Sequence, residues 1–191
     1  MAANPASSPL SGRSALDGQR VALAQFERHL DEKPALQWWH GVVVQKAVPN
    51  RAHGLLQTEL AALLRAYAMA TGGAAWTEAH VWFEGEGYLV PDVAYWDPGK
   101  PQGDDRRSLP PTLAIEIRSP DEPMQSQREK CRRMRHHGVD ACWLIDPVAR
   151  VAERFDAAAD GEPLPAGGTL SSAALPGFEL SLAALWAVLP A

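Results

Sequence analysis

Residues 88–96, YLVPDVAYW, and residues 112–118, TLAIEIR, are the two stretches on which the interpretation of this sequence depends. Both are rich in the β-branched and aromatic residues that favour strands. Each contains one carboxylate, Asp92 or Glu116, where an apolar residue is expected. Because burying an unpaired carboxylate costs several kcal/mol, each acid needs a cation or a proton as its partner.

Two interpretations of these acids stay open at this point. Alternation along residues 112–118 places Glu116 and Arg118 on one face of the strand. Glu116 can therefore simply pair with Arg118, while Asp92 caps a turn after Pro91. In the other interpretation the two acids hold a divalent cation, since Mg²⁺ is usually bound by one or two carboxylates with water and phosphate oxygens.

A helix predicted over residues 122–137 adds a basic residue to these acids. When its residues are placed at intervals of about 100°, Cys131 and Met134 lie on the core side and most of its arginines form a solvated stripe. Lys130 borders the apolar side and is the basic residue of this helix that points towards the sheet. A lysine beside a metal can hold or activate an attacking water.

The other predicted elements complete an α/β pattern. They are helices at 20–30, 55–71 and 180–189 and strands at 36–39, 42–47, 79–83, 141–145 and 151–155, with residues 156–174 as a loop. This order implies an α/β sandwich with a mixed central sheet flanked by helices. We expect one domain over residues 19–191, preceded by a flexible tail over residues 1–18.

Composition limits the function classes. The 191 residues are 46% apolar and 21% charged, as in ordinary folded domains. Eighteen Lys and Arg against 23 Asp and Glu give a net charge of −5, so any binding to a polyanion needs a local basic patch. With two cysteines and no apolar run of about 20 residues, we expect a cytoplasmic protein that does not enter a membrane.

Several short motifs, taken in order, resemble the Uma family of restriction-endonuclease-like proteins, a branch of the PD-(D/E)XK nuclease superfamily. These motifs are Pro91-Asp92, Glu116-Ile117-Arg118-Ser119-Pro120, Lys130, Gly138-Val139, residues 143–147 (WLIDP) and residues 175–180 (LPGFEL). The resemblance covers residues 19–189 and implies a restriction-endonuclease-like fold. It also implies that Asp92 and Glu116 bind the metal, that the Ile117 carbonyl is a third ligand, and that Lys130 is the catalytic lysine.

The chain departs from the superfamily pattern at several positions. Arg118 stands two residues after Glu116, where a lysine is commonest; it can stabilise charge but cannot act as a base. Ser126 stands where an aspartate is often found, and Ala141-Cys142 replaces Glu-Tyr.

Three further residues are candidates for auxiliary roles. His53 matches a family histidine near the start of the long helix, with a capping or surface role as the alternative. Glu78 and Glu84 could each supply an extra ligand.

The resemblance predicts an Mg²⁺- or Mn²⁺-dependent endonuclease that hydrolyses phosphodiester bonds in nucleic acid, with DNA as the expected substrate and a homodimer as the expected assembly. Within the basic helix, the residues expected to bind nucleic acid are Arg128, Arg132 and Arg133, with an exposed solvated face as the alternative. The alternative function is a catalytically inactive nuclease-fold scaffold or nucleic-acid-binding module. No Cys/His spacing supports a zinc site.

Overall fold

The computed structural model describes residues 12–190, in which runs of strands are separated by helices. In chain order they are α1 (Leu23–Phe26), followed by a 3₁₀ turn (Glu27–His29), β1 (Leu36–Trp39), β2 (Val42–Gln45), α2 (Arg51–Thr71), β3 (Ala74–Thr77), β4 (Val81–Phe83), β5 (Gly87–Leu89), β6 (Val93–Trp96), β7 (Leu113–Ile117), α3 (Met124–His136), β8 (Ala141–Asp146), β9 (Val151–Asp156), β10 (Ala159–Leu164), β11 (Thr169–Ser171), β12 (Glu179–Ser181) and α4 (Leu182–Ala187). The predicted α/β class is confirmed.

A mixed six-stranded sheet lies at the centre, with the strand order β10-β9-β8-β7-β6-β3. Only β7 and β8 run parallel among its neighbouring pairs. α3 connects these two strands, as a parallel pair requires, because a tight hairpin can join only antiparallel strands. The side chains of α3 therefore lie over the strand that carries Glu116.

Helices cover the two faces of this sheet differently. On one face, Leu56, Leu60 and Leu64 of α2 pack against alternate residues of β7 such as Ile115, together with α4. On the other face, Cys131 and Met134 of α3 pack in a second core, with Ala114, Phe83 and Leu89. The alternation predicted for residues 112–118 is thus present in the sheet.

A second, antiparallel sheet has the strand order β2-β1-β5-β4. Phe83 and Leu89 of this sheet belong to the core on the α3 side. A third core joins α1 to this sheet through Phe26, Leu36 and Tyr88. The four-stranded and six-stranded sheets therefore meet beside α3, and β11 and β12 form a separate two-stranded sheet.

The prediction of one continuous strand over residues 88–96 is wrong. β5 belongs to the four-stranded sheet and β6 to the six-stranded sheet, and Val90, Pro91 and Asp92 form the crossing between them. Proline has no N–H to donate to a ladder, which favours a break at Pro91. Asp92 therefore lies between two sheets and not within a strand.

The prediction of a loop over residues 156–174 is also wrong, and β3 was not predicted. β10 pairs with β9, and β11 pairs with β12. No residue of β10 (ADGEPL) is buried. Its sequence therefore lacks the alternation of apolar and polar residues that predicts a strand.

Part of the predicted tail, residues 12–18, lies within the described chain and contacts the fold. Residues 1–11 lie outside the described part of the chain. However, Ser14 N–H donates to Gln45 Oε1 at 2.9 Å, and Gly18 N–H donates to the Val43 carbonyl at 2.9 Å. The packed chain therefore begins before the predicted boundary at residue 19.

Candidate active site

A cavity of about 540 Å³ lies where the two sheets meet α2 and α3. Its apolar lining comes from residues 34–35 and 47–49 and from Ile117. Its polar and charged lining consists of Lys33, Gln37, Lys46, His53, Gln57, Glu78, Asp92, Glu116, Ser119, Glu122 and Lys130. The fold thus brings the acids, the lysine and two of the auxiliary candidates predicted from the sequence into one cavity.

Asp92 is 2% exposed and is contacted from three directions. The N–H of Ile117 donates to Asp92 Oδ2 at 2.6 Å, and His53 Nε2 lies 3.2 Å from the same oxygen. Lys46 Nζ donates to Oδ1 at 2.7 Å. Burial alone would raise the pKa of Asp92, but the Lys46 ammonium and the hydrogen bond from His53 outweigh burial and hold this pKa well below its usual value. Asp92 is therefore ionised at neutral pH.

Glu116 is equally buried but has fewer partners. Its Oε2 accepts a hydrogen bond from Lys130 Nζ at 2.8 Å, whereas its Oε1 is buried with no partner among the described residues. Burial raises the pKa of Glu116 to about 7; the charge of Asp92 adds to this rise and Lys130 opposes it. Glu116 therefore lacks the donors that keep Asp92 charged.

The unpaired Glu116 oxygen is the feature that fits a divalent cation. A buried carboxylate oxygen requires a cation or a proton, and carboxylates are the ligands that Mg²⁺ prefers. Over residues 12–190 no three His, Cys, Asp or Glu side chains gather into a metal-binding group. Two carboxylates still suffice for Mg²⁺, which commonly completes its coordination with water, carbonyl or phosphate oxygens.

Lys130 reaches the cavity from α3. Its Nζ donates to Glu116 Oε2 at 2.8 Å and to the Val90 carbonyl at 3.2 Å. Because an ammonium has three N–H donors, one remains for a further acceptor. The helical spacing of α3 predicts this inward direction, since Cys131 and Met134 beside it are fully buried.

Arg118 does not take part in this arrangement. β7 ends at Ile117, and Arg118 Nε donates to Asp146 Oδ2 at 2.9 Å. The structural interpretation in which Glu116 pairs with Arg118 is therefore wrong. The turn cap suggested for Asp92 is wrong as well, because its Oδ2 accepts from Ile117 of the neighbouring strand.

His53 is buried, which the surface interpretation did not predict. The side chain of Asn50 caps α2 by accepting from the His53 N–H at 2.9 Å, and this fixes the first helical turn. The His53 ring then lies on the same helix face as Leu56 and Leu60 and is 5% exposed. The apolar stripe of α2, extended backwards by one turn, is the signal that could have predicted this burial.

Glu78 lines the cavity, whereas Glu84 lies in the turn between β4 and β5 and is exposed. Glu78 Oε1 accepts from Lys46 Nζ at 2.8 Å and from Gln57 Nε2 at 3.1 Å. The structure thus places Glu78 beside a lysine that also contacts Asp92.

Two of the cavity residues that were not predicted from the sequence, Lys46 and Gln57, contact Asp92. Lys46 follows β2 directly and contacts both Asp92 and Glu78. Gln57 Nε2 also donates to the backbone carbonyl of Asp92 at 3.0 Å. Gln57 lies one helical turn after His53 and could have been placed with it, whereas nothing in the local pattern around Lys46 indicates its partners.

The arginines of α3 mostly face away from the cavity. Arg128 Nε donates to the buried Glu153 at 2.8 Å, and Arg132 Nε donates to Asp160 at 2.9 Å. Arg133 lies 4.0 Å from Glu129 and stacks over the ring of Trp39. Lys130 is thus the basic residue of this helix that lines the cavity.

One family model matches most of the chain. The family is Uma2, described as "Putative restriction endonuclease", and the match covers residues 23–183. No protein with a curated description matches the chain. Within residues 12–190, no helix is long and apolar enough to cross a membrane.

Six chains of solved structures match this one, among them the following two. A protein from Anabaena variabilis, described as "a putative nuclease belonging to DUF820", has a TM-score of 0.79 and 21% identity, and the alignment covers 88% of this chain and 98% of that one. The DrdV–DNA complex has a TM-score of 0.39 and 15% identity, over 56% of this chain and 10% of that one. The first likeness confirms the predicted restriction-endonuclease-like fold.

Proposed function

This chain belongs to the Uma2 family, and on that premise we propose that it is a metal-dependent endonuclease that hydrolyses phosphodiester bonds of DNA. Family membership supports a nuclease-type function. One observation carries the metal dependence: the buried Glu116 Oε1 has no partner among the described residues, in a cavity that also holds the ionised Asp92.

In this proposal the carboxylates of Asp92 and Glu116, with the carbonyl of Ile117, hold Mg²⁺ or Mn²⁺. When bound, the cation supplies Lewis-acid chemistry, which neutralises charge on the scissile phosphate and makes water a stronger nucleophile at neutral pH. His53 and the Ile117 N–H keep Asp92 oriented through the contacts to Oδ2.

Lys130 is the proposed catalytic cation. Two of its N–H groups are directed to Glu116 and Val90, and the third can donate to a phosphate oxygen in the cavity. There it would stabilise the negative charge that develops as water attacks phosphorus and the sugar 3′ oxygen leaves with the electrons of the broken P–O bond.

Contacts to the rest of the nucleic acid are assigned to Arg128, Arg132 and Arg133. The side chains of all three are more than a third exposed. Because exposed ion pairs contribute little, a phosphate can compete with the acidic partners of Arg132 and Arg133. The buried partner of Arg128 makes it the least available of the three.

The test is cleavage of supercoiled plasmid in Mg²⁺ or Mn²⁺ by the wild type and by an Asp92→Ala/Glu116→Ala double variant. Asp140→Asn is a matched control, since this exposed carboxylate contacts Lys100 outside the cavity. We expect cleavage by the wild type and the control and none by the double variant. Cleavage by the double variant would refute the assignment of the site.

A catalytically inactive, nucleic-acid-binding scaffold is the second candidate. One observation favours it: each buried acid already has an ammonium partner, Lys46 for Asp92 and Lys130 for Glu116. Binding of DNA that persists in Asp92→Ala, with no metal binding and no cleavage by the wild type, would support the scaffold over the nuclease.

A further inference from the structure

Lys46 occupies a position between two carboxylates of the cavity. Its Nζ lies 2.7 Å from Asp92 Oδ1 and 2.8 Å from Glu78 Oε1, and its side chain is 12% exposed. Lys130, in contrast, contacts one carboxylate and one backbone carbonyl. Lys46 can therefore lose its contact with one carboxylate and keep the other, whereas Lys130 contacts a single carboxylate.

The Lys46 ammonium contacts Oδ1, the Asp92 oxygen that would otherwise be available to bind a metal. Oδ2 already faces the Ile117 N–H at 2.6 Å and His53 Nε2 at 3.2 Å. Oδ1, however, has Lys46 as its hydrogen-bond donor. A divalent cation that binds Asp92 through Oδ1 must therefore displace the ammonium, and it would also be repelled by the ammonium's charge.

Glu78 remains as a partner of Lys46 when the contact between Lys46 and Asp92 breaks. Gln57 Nε2 donates both to Glu78 Oε1, at 3.1 Å, and to the Asp92 carbonyl, at 3.0 Å. Gln57 therefore holds Glu78 close to the backbone of Asp92. Because Glu78 already accepts from Lys46, the ammonium can leave Asp92 without becoming an unpaired buried charge.

We propose that Lys46 is an internal counter-cation that competes with the divalent metal for Asp92 and stays with Glu78 when the metal binds. The inference rests on the proposed metal site. In this role Lys46 is a positioning residue: it keeps Asp92 charged and in place before the metal arrives, and it weakens metal binding by the cost of its own displacement.

The test is calorimetric titration of the protein with Mn²⁺ alone, compared across four chains. These are the wild type, Lys46→Met, Lys46→Arg and the control Lys100→Met, which removes the same charge outside the cavity. We expect Lys46→Met to bind Mn²⁺ about tenfold more tightly or better, because neither displacement nor repulsion remains. Lys46→Arg retains the charge and should stay close to the wild type, as should Lys100→Met.

Each result bears on a different statement. Equal Mn²⁺ affinity of the wild type and Lys46→Met, or weaker binding by Lys46→Met, overturns the role of Lys46 and leaves the metal-dependent nuclease intact. Absence of Mn²⁺ binding in all four chains overturns the proposed metal site and, with it, this inference.

A crystal structure of the wild type grown with Mn²⁺ tests the same statement without depending on the folding of a variant. We expect Lys46 Nζ to remain within hydrogen-bond distance of Glu78 and to have moved out of that distance from Asp92 Oδ1. A Mn²⁺ ion bound to Asp92 while the Lys46–Asp92 contact is kept would contradict the proposal.

Discussion

Asp92 and Glu116 are both buried carboxylates, yet their neighbours shift their pKa values in opposite directions. Burial favours the neutral acid at both positions. At Asp92, Lys46 and His53 outweigh burial and lower the pKa, whereas at Glu116 Lys130 does not outweigh burial and the pKa is raised. The number of donors around each acid therefore sets its charge before any cation binds.

This difference predicts unequal effects of neutral substitutions on stability. Asp92→Asn leaves Lys46 paired with Glu78 but removes the charge that accepts hydrogen bonds from Lys46 and His53, and it should lower the free energy of unfolding by about 2–3 kcal/mol. Glu116→Gln should change it by about 1 kcal/mol or less, because a pKa near 7 means that the neutral acid is already populated at neutral pH. Urea unfolding at pH 7, with Asp140→Asn as control, measures both, and equal losses would contradict the assigned charge states.

How far single residues could be predicted depended on local pattern. Asp92 and Glu116 stand out as acids in apolar runs, and the helical spacing directs Lys130 inwards. Lys46 has no such signal, because it meets Asp92 46 positions along the chain and only through the packing of two sheets. The proposed catalytic roles of these residues stay predictions until cleavage is measured.

At the scale of elements, α2 links the start of a helix to the orientation of an acid. Asn50 caps the helix through the His53 N–H, and the His53 ring contacts Asp92 from the same turn. A helix end that frays would therefore move a contact of the site as well as a backbone bond.

Asn50→Ala should therefore lower the free energy of unfolding by about 1 kcal/mol, the usual contribution of an N-cap. It should also reduce metal-dependent cleavage, because His53 loses its fixed position beside Asp92. Asn50→Ser, which can still cap, is the matched control. Denaturant unfolding and plasmid cleavage measure the two effects, and a loss of stability with unchanged cleavage would separate His53 from the reaction.

Elements with strong periodicity were predictable from the sequence, and those held by backbone pairing were not. α2 and α3 were predicted from their apolar spacing and β7 from its alternation. β10 was missed because it has no buried residue, and its pairing with β9 supplies its order. Residues 88–96 were mistaken for one strand because an apolar run does not show that its two halves join different sheets.

At the scale of the whole molecule, His80 couples the stability of the fold to pH. His80 precedes β4, and its Nε2 is buried without a partner in the described part of the chain. Burial, reinforced by Lys33, lowers its pKa to about 4. Since the folded pKa lies below the unfolded value of about 6.5, the folded state prefers the neutral ring.

Stability from this residue should therefore be complete above about pH 6.5 and should be lost as the pH falls towards 4. We expect the wild type to lose on the order of 2 kcal/mol more than His80→Gln between pH 7.5 and pH 4.5. Denaturant unfolding at the two pH values measures the difference. The same pH dependence in both chains would mean that other groups cause it.

The homodimer expected from the sequence also belongs to the scale of the whole molecule, and it stays a prediction.

The three-residue crossing from β5 to β6 restricts how the length of this chain can vary. Val90, Pro91 and Asp92 span the gap between two sheets, and each extended residue covers at most about 3.6 Å. Deleting one residue here would pull the sheets out of alignment, and inserting one would turn the Asp92 carboxylate away from Ile117. Among related sequences, insertions and deletions should therefore accumulate in the long connection between β6 and β7 and be absent from this crossing.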